Sequence, residues 1–171
     1  MNVIARAVTP FDSGLAPELV LFDLDGTLVD SVPSLALAVD HMLEALGRDV
    51  AGEDAVRGWV GNGAAMLVKR ALSGSIEVDE NIESSLTETA LGLFLRFYGE
   101  CATEGTVLYN GVRDFLDALA QRGIAMSIVT NKPEGFVPGI LTSLGIADYF
   151  QLLVGGDTLA HRKPHPEPLL H

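Results

Sequence analysis

The alternation of apolar and polar positions changes character twice along the chain. Leu19-Val20-Leu21-Phe22 is an unbroken apolar run, the pattern of a parallel strand buried on both faces. From about Pro33 to Gly105 the period becomes helical. Leu35, Val39, Met42, Leu43 and Leu46 share one face, and Gly47 supplies a stop. The loop Gly58-Trp59-Val60-Gly61-Asn62-Gly63 leads into a helix running to about Leu72, and a longer helix carries Leu86, Ala90, Leu93, Phe94 and Phe97 inward. No strand interrupts these three or four helices, so they read as an insertion.

Helix and strand then alternate. Val112, Phe115, Leu116 and Leu119 form a stripe ended by Gly123, and the run from Ile124 to Thr130 reads as a strand. Val137, Ile140, Leu141 and Leu144 repeat the stripe before Gly145, and Phe150 to Val154 reads as a third strand. This order predicts a parallel α/β sheet with crossover helices. Ligands of such sheets bind at the carboxyl ends of the strands, where Asp23, Thr130 and the Gly155-Gly156 turn are expected to converge. Residues 1–17, broken by Pro10, Gly14 and Pro17, read as an irregular leader.

Composition narrows the field of functions. The 171 residues are 48% hydrophobic, ample for a packed core, and contain 11 basic against 23 acidic side chains. A formal charge of −12 disfavours nucleic acid and anionic membrane surfaces as partners. The single cysteine, Cys101, permits no internal disulfide and fits a reducing compartment. No basic segment precedes a long apolar run, and no span is long enough for a bilayer, so a cytoplasmic location is expected.

The chemistry concentrates after the first strand, where Asp23 and Asp25 stand one residue apart before the Gly26-Thr27 turn. Like charges held this close require a cation or a shared proton. That requirement points to a divalent metal and to a carboxylate with catalytic work.

Asp23-Leu24-Asp25-Gly26-Thr27 after an apolar strand resembles the first motif of the haloacid dehalogenase superfamily. The resemblance implies that Asp23 is a nucleophile forming an aspartyl-phosphate and that Asp25 is the general acid and base. It implies phosphoryl transfer, since the dehalogenating branch typically lacks an acid at the second position. By the same resemblance Thr130 and the Asn131 amide hold phosphoryl oxygens, and Lys163 bridges nucleophile and phosphoryl group. Mg²⁺ is implied on the Asp23 side chain and the Asp25 backbone carbonyl, as suits a hard cation. The implied fold is a Rossmann-like parallel sheet core (18–32 and 106–171) with an inserted α-helical cap (33–105).

The likeness extends to bacterial phosphoglycolate phosphatases through Asp30-Ser31-Val32-Pro33, Trp59-Val60-Gly61-Asn62-Gly63, Tyr109-Asn110-Gly111-Val112-Arg113, Thr130-Asn131-Lys132-Pro133-Glu134 and Gly155-Gly156-Asp157-Thr158. The implied substrate is a small phosphorylated metabolite, 2-phosphoglycolate. Its carboxylate calls for a cation or amides in the cap: Lys69, Arg70, and the backbone of Gly61, Asn62 and Gly63. Another sugar phosphate or a phosphonate, or a non-catalytic remnant, are the alternative expectations.

One departure accompanies the resemblance. The superfamily's fourth, acidic motif does not occur in these residues, and Asp157 precedes Lys163 and does not replace it. The expectation is a chain truncated before that motif, with Leu19–Phe22 left as an apolar sheet edge. His161, His165 and His171 are read as solvated loop residues, because the surrounding prolines break any regular ligand spacing.

Overall fold

The computed structural model describes residues 17–171; the expected leader, residues 1–17, lies outside them except for Pro17. The fold is mixed α/β, with a parallel sheet and an inserted group of helices. Strand β1 (Leu19–Phe22) pairs with β4 (Ala125–Val129), which pairs in turn with β5 (Leu152–Val154), both in parallel. Register sets Phe22 beside Ile128 and Val129 beside Val154, so the chain leaves all three strands at one end of the sheet.

A second, two-stranded ribbon was not foreseen from the pattern. Strand β2 (Val29–Asp30) runs antiparallel to β3 (Val107–Leu108), and their two residues apiece are too short to show a period. The ribbon gathers the two ends of the helical insertion. Helix α1 (Val32–Ala45) leaves β2 with Pro33 in its first turn, where the missing N–H costs nothing. Helices α2 (Glu53–Trp59) and α3 (Ala64–Ser73) follow, and α4 (Ser84–Cys101) packs back along α1. Gly58 and Trp59 belong to α2, so the glycine-rich loop shortens to Val60–Gly63.

Buried apolar side chains form two clusters. One lies among α1–α4 and includes Val39, Met42, Val68, Ala90, Phe94 and Tyr98. The inward line of α4 is Ala90, Phe94, Tyr98 and Cys101, rotated slightly from the predicted stripe, whose Leu86, Leu93 and Phe97 are only partly buried. The other cluster joins the sheet to α5 (Val112–Gln121) and α6 (Val137–Ser143) through Leu24, Leu116, Leu119, Ile128 and Leu141.

Two burial expectations are corrected. Strand β1 is not covered on both faces: Leu19 is 49% exposed and Leu21 37%, because β1 is an outer strand of the described sheet. Phe115 is also exposed, and touches Phe22 edge-on with ring centroids 6.2 Å apart. Phe150 precedes β5 and packs its ring on the same Phe22.

Candidate active site

Asp23 follows directly from β1, and its Oδ1 accepts the Leu24 N–H at 2.8 Å. The chain then turns through Gly26, whose φ of 76° is open to glycine at little cost. Leu24 carbonyl oxygen accepts from the amides of Thr27, Leu28 and Val29, and this nest of bonds fixes the loop. Two carboxylates are thereby held on a rigid turn at the carboxyl end of a strand.

Each carboxylate has its own lysine. Lys163 Nζ lies 3.1 Å from Asp23 Oδ1. Lys132 Nζ donates to both oxygens of Asp25, at 2.9 and 3.2 Å, and the Ser31 hydroxyl donates to Asp25 Oδ1 at 2.5 Å. Thus the like-charge problem read from the sequence is met here by two ammonium groups.

Lys132 and Ser31 are partners that the sequence reading left without a role. Both stand in stretches quoted for the resemblance, but the direction of a side chain leaving a strand end is not a sequence signal. Lys132 is only 5% exposed, and its ammonium sits 4.7 Å from the centre of the Tyr98 ring. Burial alone would push this lysine down; the charge of Asp25, and Tyr98 after it, outweigh that and move it up, so it stays an ammonium. Tyr98 is raised mainly by burial, against the pull of Lys132, and its hydroxyl has no hydrogen-bond partner among the described residues.

Thr130 follows β4 and is almost fully buried, with its amide bonded to the Val154 carbonyl and its hydroxyl accepting the Lys132 N–H at 3.2 Å. Asn131 Nδ2 donates to the Lys163 carbonyl at 3.1 Å, tying the loop after β4 to the loop bearing that lysine. Glycine is required at Gly156, where a β-carbon would stand 2.4 Å from the Asn131 carbonyl oxygen. Asp157 turns away to accept the Glu134 N–H at 2.7 Å.

A cavity of about 260 Å³ brings these parts together. Asp23, Asp25, Thr130, Asn131 and Lys132 form its polar floor; Val60 to Ala64, Leu67, Phe94, Tyr98 and Phe136 form much of the opposing wall. Gly61, Asn62 and Gly63 all carry positive φ, and Gly63 precedes α3 without any side-chain cap. The cavity therefore meets the end of a helix whose first-turn amides favour negative charge.

Lys69 and Arg70 are not brought to this cavity. Lys69 lines a separate depression with Asp79 and Glu88, and Arg70 donates to the Trp59 carbonyl at 2.7 Å and the Ile76 carbonyl at 3.2 Å. The physical reason is helical phase: Leu67, Val68, Ala71 and Leu72 take the buried face of α3. Buried Lys132, from the sheet side, is the cation that lines the cavity.

Hard oxygen donors suit Mg²⁺ here. Asp23 Oδ1 is engaged by Leu24 and Lys163, while Oδ2 has no donor among the described residues. Asp25 has both carboxylate oxygens committed, consistent with offering a metal its backbone carbonyl instead.

The strand-end carboxylates thus lie on one side of the cavity and residues of the helical insertion on the other. The model of the family described as Haloacid dehalogenase-like hydrolase matches residues 20–171, and the chain belongs to that family. It is 53% identical over 157 residues to a phosphoglycolate phosphatase of Pseudomonas putida, covering 92% of this chain and 57% of that protein. A phosphoglycolate phosphatase of Colwellia psychrerythraea is 51% identical over 152 residues, covering 89% and 67% respectively. The chain thus spans a little over half the length of the first relative. Among solved structures, that of a predicted phosphoglycolate phosphatase from Haemophilus somnus is similar, with a TM-score of 0.80, 37% identity, and coverage of 90% of this chain and 69% of that one. A Lactobacillus delbrueckii structure with a TM-score of 0.81 and 22% identity shows the shared fold alone. Among the described residues no helix is long and apolar enough to cross a membrane.

Proposed function

We propose that this chain carries the nucleophile, acid and cap of a cytoplasmic, Mg²⁺-dependent phosphatase acting on 2-phosphoglycolate. The observation that carries the reading is the pair of adjacent carboxylates, each held by a different lysine, on the floor of one small cavity. Asp23 and Asp25 have unequal surroundings, as two roles require. The Asp23 side chain is 43% exposed with one oxygen lacking a donor among the described residues, while Asp25 is more enclosed and held at both oxygens.

Asp23 Oδ2 attacks phosphorus, a P–O bond forms, and the bond to the glycolate oxygen breaks as Asp25, protonated from solvent before the step and released at one oxygen by Lys132, delivers that proton to it. Asp25 then takes a proton from the water that attacks the aspartyl-phosphate, which releases phosphate and restores Asp23. Thr130 and the Asn131 amide hold phosphoryl oxygens, and Lys163 offsets charge between them and Asp23. Mg²⁺, when bound by the Asp23 carboxylate and the Asp25 carbonyl, supplies further positive charge to the phosphoryl oxygens. Residues 33–105 act as a cap that excludes water. Amides at Gly61–Gly63 and the start of α3 receive the substrate carboxylate. The relatives named phosphoglycolate phosphatase support this choice of leaving group.

The test is phosphate release from 2-phosphoglycolate by the 171-residue chain, with and without Mg²⁺, beside Asp23→Asn and a panel of sugar phosphates and phosphonates. Mg²⁺-dependent release that Asp23→Asn abolishes is the expected result. Preference for a panel member would overturn the substrate, and a folded chain releasing nothing would be a non-catalytic remnant.

A further inference from the structure

The loop that presents Lys163 also assembles three side chains outside the catalytic cluster. The rings of His161 and His165 stack with centroids 4.1 Å apart and planes at 21°. Together with Glu167 they place one nitrogen or oxygen ligand atom each within 4.8 Å of the other two. Irregular spacing had argued against such a cluster. Pro164 and Pro166 instead restrict a tight turn, closed by a 3.0 Å bond from the His165 N–H to the Arg162 carbonyl, that superimposes residues four apart.

Glu167 organises the group. Its Oε2 accepts the His161 backbone N–H at 3.0 Å and pairs with His161 Nδ1 at 2.8 Å, while its own amide donates to His165 Nδ1 at 3.2 Å. An ion that enters displaces the proton between Glu167 Oε2 and His161 Nδ1 and takes both atoms as ligands, while the bond from the His161 backbone N–H keeps the carboxylate in place. His165 is exposed, so its tautomers exchange through water, and presenting a lone pair to an ion loses at most that 3.2 Å bond. The two cations of the loop are directed elsewhere. Lys163 pairs with Asp23, and Arg162 Nη1 lies 3.2 Å from where a β-carbon on Gly63 would stand.

We propose that His161, His165 and Glu167 bind a borderline divalent cation of the Zn²⁺, Co²⁺ or Ni²⁺ class, at a site separate from the oxygen ligands around Asp23. Two imidazoles and a carboxylate match the preference of these ions, whereas Mg²⁺ favours oxygen alone. Zn²⁺–ligand bonds of about 2.0–2.1 Å put tetrahedral donors roughly 3.3 Å apart. The cluster therefore closes by about 1.5 Å at its widest, a movement that exposed side chains make by rotation. The binding itself does not depend on the phosphatase reading.

The experiment uses the untagged 171-residue chain. Co²⁺ is followed by visible absorption, and Zn²⁺ by calorimetry in excess Mg²⁺. One ion per chain is expected, with at least a tenfold loss of affinity in each of His161→Ala and His165→Ala, a loss of about tenfold in Glu167→Gln, and no loss in Asp23→Asn. Circular dichroism confirms that each variant is folded. Absence of binding, binding that survives both histidine substitutions, or binding lost in Asp23→Asn would overturn the proposal.

Discussion

In the helical insertion Val39, Met42, Phe94 and Tyr98 are buried, whereas the sheet leaves leucines open on both outer strands: Leu19 and Leu21 on β1, Leu152 on β5. Most of the insertion's apolar burial is local, since neighbouring helices cover one another's stripes, with Phe136 packing on Tyr98 from outside it. A parallel sheet cannot, because each strand needs neighbours on both sides and helices on both faces. The polar content differs as well. Buried charge occurs on the sheet side, at Lys132, where Asp25 compensates it, and the insertion contributes Phe94 and Tyr98 to the wall. The strand ends hold the two carboxylates, and the insertion lies across the cavity from them.

The comparison can be broken most strongly from the helical side. Phe94, buried and stacked on Tyr98 with centroids 5.6 Å apart, is replaced by alanine at an expected cost of about 3–5 kcal/mol. Urea unfolding followed separately at Trp59 and by circular dichroism reads whether the loss confines itself to the insertion. Coincident transitions would show that the two clusters unfold as one.

Lys132→Met tests the sheet side. It leaves Asp25 enclosed with only the Ser31 hydroxyl, at an expected cost of about 3 kcal/mol by urea unfolding, and Lys132→Arg recovers part of it. A neutral result would mean that Asp25 is reached by water and that the charge pair contributes little.

Alkaline pH probes the contact between the two regions, with a smaller effect. Lys132 and Tyr98 both titrate higher in the fold than free side chains do. For such groups the stability is fully present below the unfolded values near pH 10 and is lost as pH rises through the folded ones. A fall in melting temperature above about pH 10 is expected, shallower in Tyr98→Phe.

The smallest change in stability is expected at the open edge. Leu19→Lys with Leu21→Lys alters unfolding by under about 0.5 kcal/mol but reduces self-association in sedimentation experiments, because charge blocks edge-to-edge pairing. Equal association in both proteins would place the sticky surface elsewhere.

Strand β1, the helical character of 33–105 and the alternation after it were legible because each repeats a period long enough to detect. The carboxylate pair was legible because two acids after an apolar run are chemically conspicuous. The β2–β3 ribbon was not, being two residues per strand. The direction taken by Lys69 and Arg70 was not legible, because a cation in a helix says nothing of its phase, which Leu67, Val68, Ala71 and Leu72 decide by burying the other face.

By itself the sequence determined which elements form and where the acids stand along the chain, since periodicity and local turns are properties of neighbouring residues. Only the tertiary structure decided that Lys132 turns inward onto Asp25 beneath Tyr98, residues 107 apart in the case of the lysine and its acid. It also decided that His161 and His165 stack rather than disperse. These pairings depend on packing and electrostatics between distant segments, for which spacing along the chain carries no signal.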